Sequence, residues 1–184
     1  MKIDVQSYRK SMLFVVLASS GIVLILYSCG GLDETSPDPY PDQDSVILTG
    51  DPQGSVTFYS DGGIQVQTVS VWVAETPGEK YEGLSNTSRD DLPLHTGLLF
   101  PYQTQQERSF VMRAMNYPLE IVFIAENGTV TRVFEAEVAA PGMSNQDLER
   151  YTAEAQYVLE VRQGTLNSSV ERGSRTEILF PPSG

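Results

Sequence analysis

The run Ile64 to Ala74 reads IQVQTVSVWVA and follows the turn Asp61-Gly62-Gly63, which is itself preceded by the apolar run Val56 to Tyr59. Alternating β-branched and polar residues on either side of a glycine turn are the pattern of a β-hairpin with one buried face. A helical repeat does not fit this spacing, so the later apolar runs are expected to extend a sheet.

Those runs are Gly97 to Phe100, Arg108 to Met112, Leu119 to Ala125, Thr129 to Val138, Gln156 to Arg162 and Arg175 to Phe180, with Glu126-Asn127-Gly128 as a further tight turn. One short helix is expected between them. Thr76 is placed to cap it, Pro77 suits its first position, and Glu79 completes a capping box, so the helix should run to about Leu84 with Gly83 at its end. Ala140 to Ala155 reads as a polar loop with at most one helical turn. Strands joined by hairpins without regular βαβ alternation predict a mainly β fold, an antiparallel sandwich or open barrel with one or two short helices.

The N-terminus is of another kind. Lys2, Arg9 and Lys10 precede the nearly uncharged stretch Ser11 to Tyr27, which has the basic flank and apolar centre of a secretory signal. It ends in Leu26-Tyr27-Ser28-Cys29-Gly30, and Cys29 is the chain's single cysteine. The pattern resembles a bacterial or archaeal lipobox. Residues 1–28 are then a signal peptide, and Cys29 becomes the lipidated first residue. An uncleaved signal anchor is the alternative reading, because the apolar stretch is just long enough to span a bilayer. Either way the remainder is expected to be exported and held on the extracytoplasmic face of the membrane.

Residues 29–54 carry Pro37, Pro39, Pro41 and Pro52 with Asp33, Glu34, Asp38, Asp42, Asp44 and Asp51, and no base. Proline removes backbone donors and like charges repel, so this segment reads as an extended acidic tether, with Val46 to Leu48 able to add a short edge strand. The mostly β domain should then occupy residues 55–184.

Charge and cysteine content narrow the function classes. The 184-residue chain carries 24 acids and 12 bases, a formal charge of -12, which argues against nucleic acid as a partner. One cysteine allows no internal disulfide, and one cysteine with one histidine does not build a structural zinc site. No Ca²⁺-loop pattern is present, so no metal or cofactor is expected. Beyond the signal, Lys80 is the only lysine. An acidic, lysine-poor surface suits a halophilic setting, because salt screens carboxylate repulsion.

Read in order, Gly83-Leu84, Gly97-Leu98-Leu99-Phe100, Ser109-Phe110-Val111-Met112-Arg113, Pro118-Leu119-Glu120-Ile121-Val122-Phe123-Ile124, Val158-Leu159-Glu160-Val161-Arg162-Gln163-Gly164 and Arg172-Gly173 resemble the family catalogued as domain of unknown function 192. The resemblance covers about residues 69–178. It implies a compact, mostly β domain, frequently exported, and no assigned reaction. Where the family usually has Trp-Met-Lys-Asn this chain has Val111-Met112-Arg113-Ala114, and the usual Asp after Pro-Leu is Glu120.

The candidate site residues are Arg113, Glu120 and Glu160. Each glutamate interrupts an apolar strand, where an ionised carboxylate is costly to bury unless paired. Alternation puts Glu120 with Val122 and Ile124, and Glu160 with Val158 and Arg162. If the two strands adjoin, the two acids and Arg113 form one polar cluster, either a structural ion pair with Arg113 or Arg162, or a site. His95, beside Ser88 and Asp90-Asp91, lacks a nucleophile elbow and reads as an exposed loop histidine rather than part of a triad. Asn86, Asn127 and Asn167 open glycosylation sequons, meaningful only in a host that modifies exported proteins.

Two function classes follow. The first is a lipid-anchored extracytoplasmic binding or accessory module for a small molecule or an envelope partner. The alternative is a small hydrolase or carbohydrate-active enzyme using Glu120 and Glu160. It needs both carboxylates within about 10 Å in one cleft.

Overall fold

The computed structural model describes residues 48–181. The signal stretch, Cys29 and most of the acidic segment lie outside the described residues, as do Val46 and Ile47 of the expected edge strand. Within them the chain forms β1 (Gly54–Tyr59), β2 (Gln65–Val73), α1 (Pro77–Glu82), β3 (Thr96–Phe110), β4 (Leu119–Ile124), β5 (Val130–Ala136), β6 (Tyr151–Arg162) and β7 (Arg175–Leu179). The strands make one sheet in the order β5-β4-β6-β3-β2-β1-β7. The fold is mainly β, as the alternation predicts. All neighbouring pairs are antiparallel except β2 and β3, which run parallel from Ser70–Val73 against Thr96–Leu99. A parallel pair needs a crossover, and residues 74–95, α1 included, supply it.

The sheet curls. Val56 and Phe58 of β1 share an apolar cluster with Val122 and Ile124 of β4 and Val130 of β5, although these strands lie towards opposite ends of the sheet. At one end the two edges meet: Thr129 bridges Arg175, and the Thr176 amide donates to the Gly128 carbonyl at 2.7 Å. The result is an open barrel around an inner core. The outer face of β3, β4 and β6 carries a second core that contains Trp72, Leu84, Leu92, Leu98, Phe100, Ile121 and Phe123. A chain of edge-to-face rings runs through it from Phe100 to Phe110, Phe123, Phe134 and Tyr151, with centroids 5.0–5.9 Å apart, a geometry that aromatic quadrupoles favour.

Local chemistry explains the helix. The Glu79 amide donates to Thr76 Oγ1 at 3.2 Å, and the Thr76 amide donates back to Glu79 Oε2 at 2.8 Å. Pro77 occupies the first turn, where no amide donor is needed. The helix stops at Glu82, two residues short of the expected Leu84, because Gly83 adopts φ 55 and ψ -133. A side chain is strongly disfavoured there.

Two strand boundaries differ from expectation. The separate strands Gly97 to Phe100 and Arg108 to Met112 are one strand, β3, whose pairing with β6 breaks between Pro101 and Gln106; Val111 and Met112 lie beyond its end. Strand β6 begins at Tyr151, inside the expected polar loop. Tyr151, Ala153 and Ala155 contact the outer core while Glu154 is exposed, so the polar residues there are the solvent face of a strand.

At Gly97 β3 and β6 approach so closely that an added Cβ would lie 2.7 Å from the Glu160 carbonyl oxygen and 2.8 Å from Val161 Cγ1. That contact positions Glu160.

Candidate functional site

Strands β4 and β6 do adjoin, yet Glu120 and Glu160 do not meet. Ile121 lies opposite Glu160, and Glu120 lies opposite Val161. Residues directly across an antiparallel pair point to the same face. Glu160 therefore faces the outer core with Ile121, while Glu120 shares the inner side with Val122 and Ile124. The single three-residue cluster expected from the sequence is not formed.

Glu120 is half-buried at the sheet's margin. Its Oε2 accepts the Leu166 amide at 3.0 Å, and the backbone of Thr165 and Gly164 also favours its ionised form. It holds the turn that follows β6. Burial nevertheless raises its pKa, and Glu135, directly across in β5, pushes the same way.

Arg113 follows β3 and serves α1. Its guanidinium lies 3.9 Å from the Tyr81 ring centroid, donates to the Tyr81 carbonyl at 2.6 Å, and approaches Glu82 at 3.9 Å. Arg162, the other partner expected for Glu160, donates instead to the Arg89 carbonyl at 3.1 Å.

Glu160 is thus a buried acid without an ion pair among the described residues. It is 5% exposed, and its Oε2 has no hydrogen-bond partner among them either. Desolvation alone lifts its pKa from 4.5 to about 8, since low-dielectric surroundings disfavour the charged form. Leu98 and Ile121 flank it in the ladder. Above it sits the crossover: a methyl built on Gly83 would lie 3.7 Å from Glu160 Oε2 and 3.5 Å from the Phe100 ring. Tyr102 and Tyr117 both feel its charge.

Sequence motifs do not single out the surrounding groups. Gln156 lies two alternations before Glu160 on β6, and its buried Oε1 also lacks a partner among the described residues. The Tyr102 ring, at the break in β3, has Arg108 Cζ 3.7 Å and Lys80 Nζ 4.9 Å from its centroid. Burial and the neighbouring Arg108 lower the pKa of Lys80. Following β6 backwards from Glu160 at period two leads to Gln156; Lys80 and Tyr102 become neighbours only through the crossover.

Of the three left-handed non-glycine residues among the described residues, two lie at the same place. Asn86 has φ 62 and Ala114 φ 50, and the Asn86 amide donates to the Ala114 carbonyl at 2.9 Å. The third, His95 at φ 65, is exposed and lies 3.5 Å from Gln67 Nε2 through Nδ1. Asp91 Oδ2 instead accepts the Ser88 amide at 2.7 Å, and that bonding lowers its pKa. These parts form no Ser-His-Asp relay. Asn86, Asn127 and Asn167 are all exposed in turns.

An open groove of about 480 Å³ lies elsewhere, between Pro52–Ser55 and Ile178–Pro181 at the β1–β7 edge. Among the described residues no three His, Cys, Asp or Glu side chains are grouped to hold a metal ion.

No curated protein matches the chain. Two solved structures share its fold. A Sinorhizobium meliloti protein, described as a candidate transcription regulator, is 23% identical with a TM-score of 0.58, over 68% of this chain and 92% of its own. A Novosphingobium aromaticivorans protein of unknown function is 20% identical with a TM-score of 0.55, over 73% of this chain and 98% of its own. A family model described as DUF192, Uncharacterized ACR, matches residues 58–178. With most of the sheet and the Glu160 strand inside that match, the chain belongs to the DUF192 family.

Proposed function

We propose that the protein is a lipid-anchored extracytoplasmic binding or accessory module, held to the membrane through Cys29 and displayed on its acidic tether. The observation that carries the module over the hydrolase is the β4–β6 register, which sends Glu120 and Glu160 to opposite faces of one sheet. Paired-carboxylate hydrolysis requires both acids on one substrate bond. Instead each acid has its own surroundings: Glu120 ties down a turn, and Glu160 is sealed under the crossover.

The description of the S. meliloti neighbour does not transfer, because identity of 23% speaks for the fold alone. Residues 55–184 also carry 17 acids against nine bases, a poor match to a phosphate backbone. The same imbalance supports a high-salt habitat.

The anchor is tested by Cys29→Ser in the full chain, followed by membrane fractionation, lipid labelling and protease treatment of intact cells. The parent should label, sediment with membranes and be cleaved from outside; the variant should lose the label and either remain unprocessed or leave the membrane fraction. Unchanged labelling and fractionation would overturn the lipoprotein reading. Hydrolysis of a cell-envelope glycan by the parent, abolished alike by Glu120→Gln and Glu160→Gln in folded protein, would restore the enzyme alternative.

A further inference from the structure

The crossover over Glu160 is pinned at both ends and carries little regular structure between. Its ends are fixed where β2 meets β3, with the Ala74 amide donating to the Leu99 carbonyl at 2.9 Å. Between them, α1 is a six-residue helix. The segment that follows is held by buried Leu84 and Leu92, the Asn86–Ala114 backbone bond, Thr87 Oγ1 with the Tyr117 hydroxyl at 2.8 Å, Asn116 Nδ2 donating to the Thr87 carbonyl at 2.9 Å and Arg162 Nη1 donating to the Arg89 carbonyl at 3.1 Å. Left-handed His95 and extended Thr76 stand near its two ends.

Among the described residues, no charged group forms an ion pair with Glu160. From β3 come Leu98, Phe100 and Tyr102, with Arg108 committed to the Tyr102 ring and to the Thr104 carbonyl. From β4 comes Ile121. From β6 comes Arg162, two residues on and on the same face, whose Nη1 donates to the Arg89 carbonyl while its buried Nε has no partner among the described residues. The roof brings Gly83, Lys80 over Tyr102, Glu82 with Arg113, and Asp91 with Ser88; the loop after β3 brings Tyr117.

We propose that residues 77–92 form a proton-held roof: with Glu160 protonated it lies closed over the Phe100–Tyr102 face, and loss of that proton lifts it so that water reaches the carboxylate. Lifting uncovers Phe100, Tyr102 and an ionised Glu160 together, and leaves the sheet intact.

Linkage fixes the sign and size. Glu160 holds its proton more tightly in the closed form than in water, so closure is fully favoured below pH 4.5 and loses ground as pH rises towards about 8. In that window the opening constant should grow about tenfold per pH unit, on the order of a thousandfold in all, and level off above it.

Hydrogen exchange of the full chain in detergent micelles, corrected for intrinsic rates, measures this between pH 5 and 9. Amides of residues 84–92 should lose protection with that slope while the paired centres of β3 and β6 keep theirs. In Glu160→Gln the roof's protection should vary less than about twofold across the range. Flat protection in the parent, an equal slope in the variant, or parallel loss across β3 and β6 would overturn the roof. Carboxyl carbon NMR of the parent provides a test without any variant: one glutamate must titrate above pH 7, and titration of all of them below pH 6 refutes the proposal.

Discussion

Ala114 is an alanine in the left-handed region, at φ 50. It is exposed, so its methyl contributes little packing, yet its carbonyl must accept the Asn86 amide and its neighbour Arg113 must reach Tyr81 and Glu82. An L-residue with a Cβ pays roughly 1–2 kcal/mol for this conformation. Replacing it by glycine removes that strain and loses about 0.4–1 kcal/mol through greater freedom of the unfolded chain. The difference leaves Ala114→Gly more stable by about 0.5–1 kcal/mol, which is about 2–4 °C in melting temperature for a domain of this size. Ala114→Asn should gain a smaller amount, since asparagine tolerates the region better than alanine. Ala114→Val should lose stability, because β-branching makes the region worse. Urea denaturation of parent and variants, at one salt concentration, reads the order directly. A glycine variant that is neutral or less stable, with an unchanged denaturant slope, would refute the strain.

Gly97→Ala should cost about 1–3 kcal/mol, because the new Cβ would press on backbone and side chain of β6; a melting temperature equal to the parent's would show that β3 and β6 can part without cost. Glu120→Ala should cost about 1–3 kcal/mol by leaving backbone amides of the following turn unsatisfied, whereas Glu120→Gln keeps an acceptor, relieves Glu135 and should lie within about 1 kcal/mol of the parent; urea midpoints in which the two variants coincide would contradict this role. Melting temperature should rise from low salt to molar potassium chloride, since residues 55–184 carry 17 acids against nine bases and screening weakens their repulsion; a flat or falling trend would contradict it.

What the sequence made legible was local. The hairpin at Asp61-Gly62-Gly63 and the Thr76–Glu79 capping box are each written within a few residues, and both form as read. The continuity of β3 was hidden by Gln103 to Glu107, polar residues that remain exposed through the break in its pairing. The start of β6 was hidden likewise by Thr152 and Glu154, whose alternation with Tyr151, Ala153 and Ala155 shows only once an apolar surface is known to lie beneath. The parallel β2–β3 pair was not visible at all, because it depends on where a 22-residue crossover lands.

The fate of the two glutamates turns on the same distinction. Alternation correctly grouped Glu120 with Val122 and Ile124, and Glu160 with Val158, but parity along one strand says nothing about parity across two. A register shifted by one residue would have put both acids on one face. The register that exists is held from both sides: Ile121 and Phe123 belong to the outer core, Val122 and Ile124 to the inner one. Shifting β4 against β6 would offer Glu120 to the outer core only by re-pairing all of these, and the β4–β5 ladder with them. A two-acid cleft is therefore a different sheet from this one, whereas a single glutamate under a short crossover needs only that crossover to move. Among the described residues Glu160 is accordingly the one carboxylate the sheet buries, and the crossover at Gly83 is what covers it.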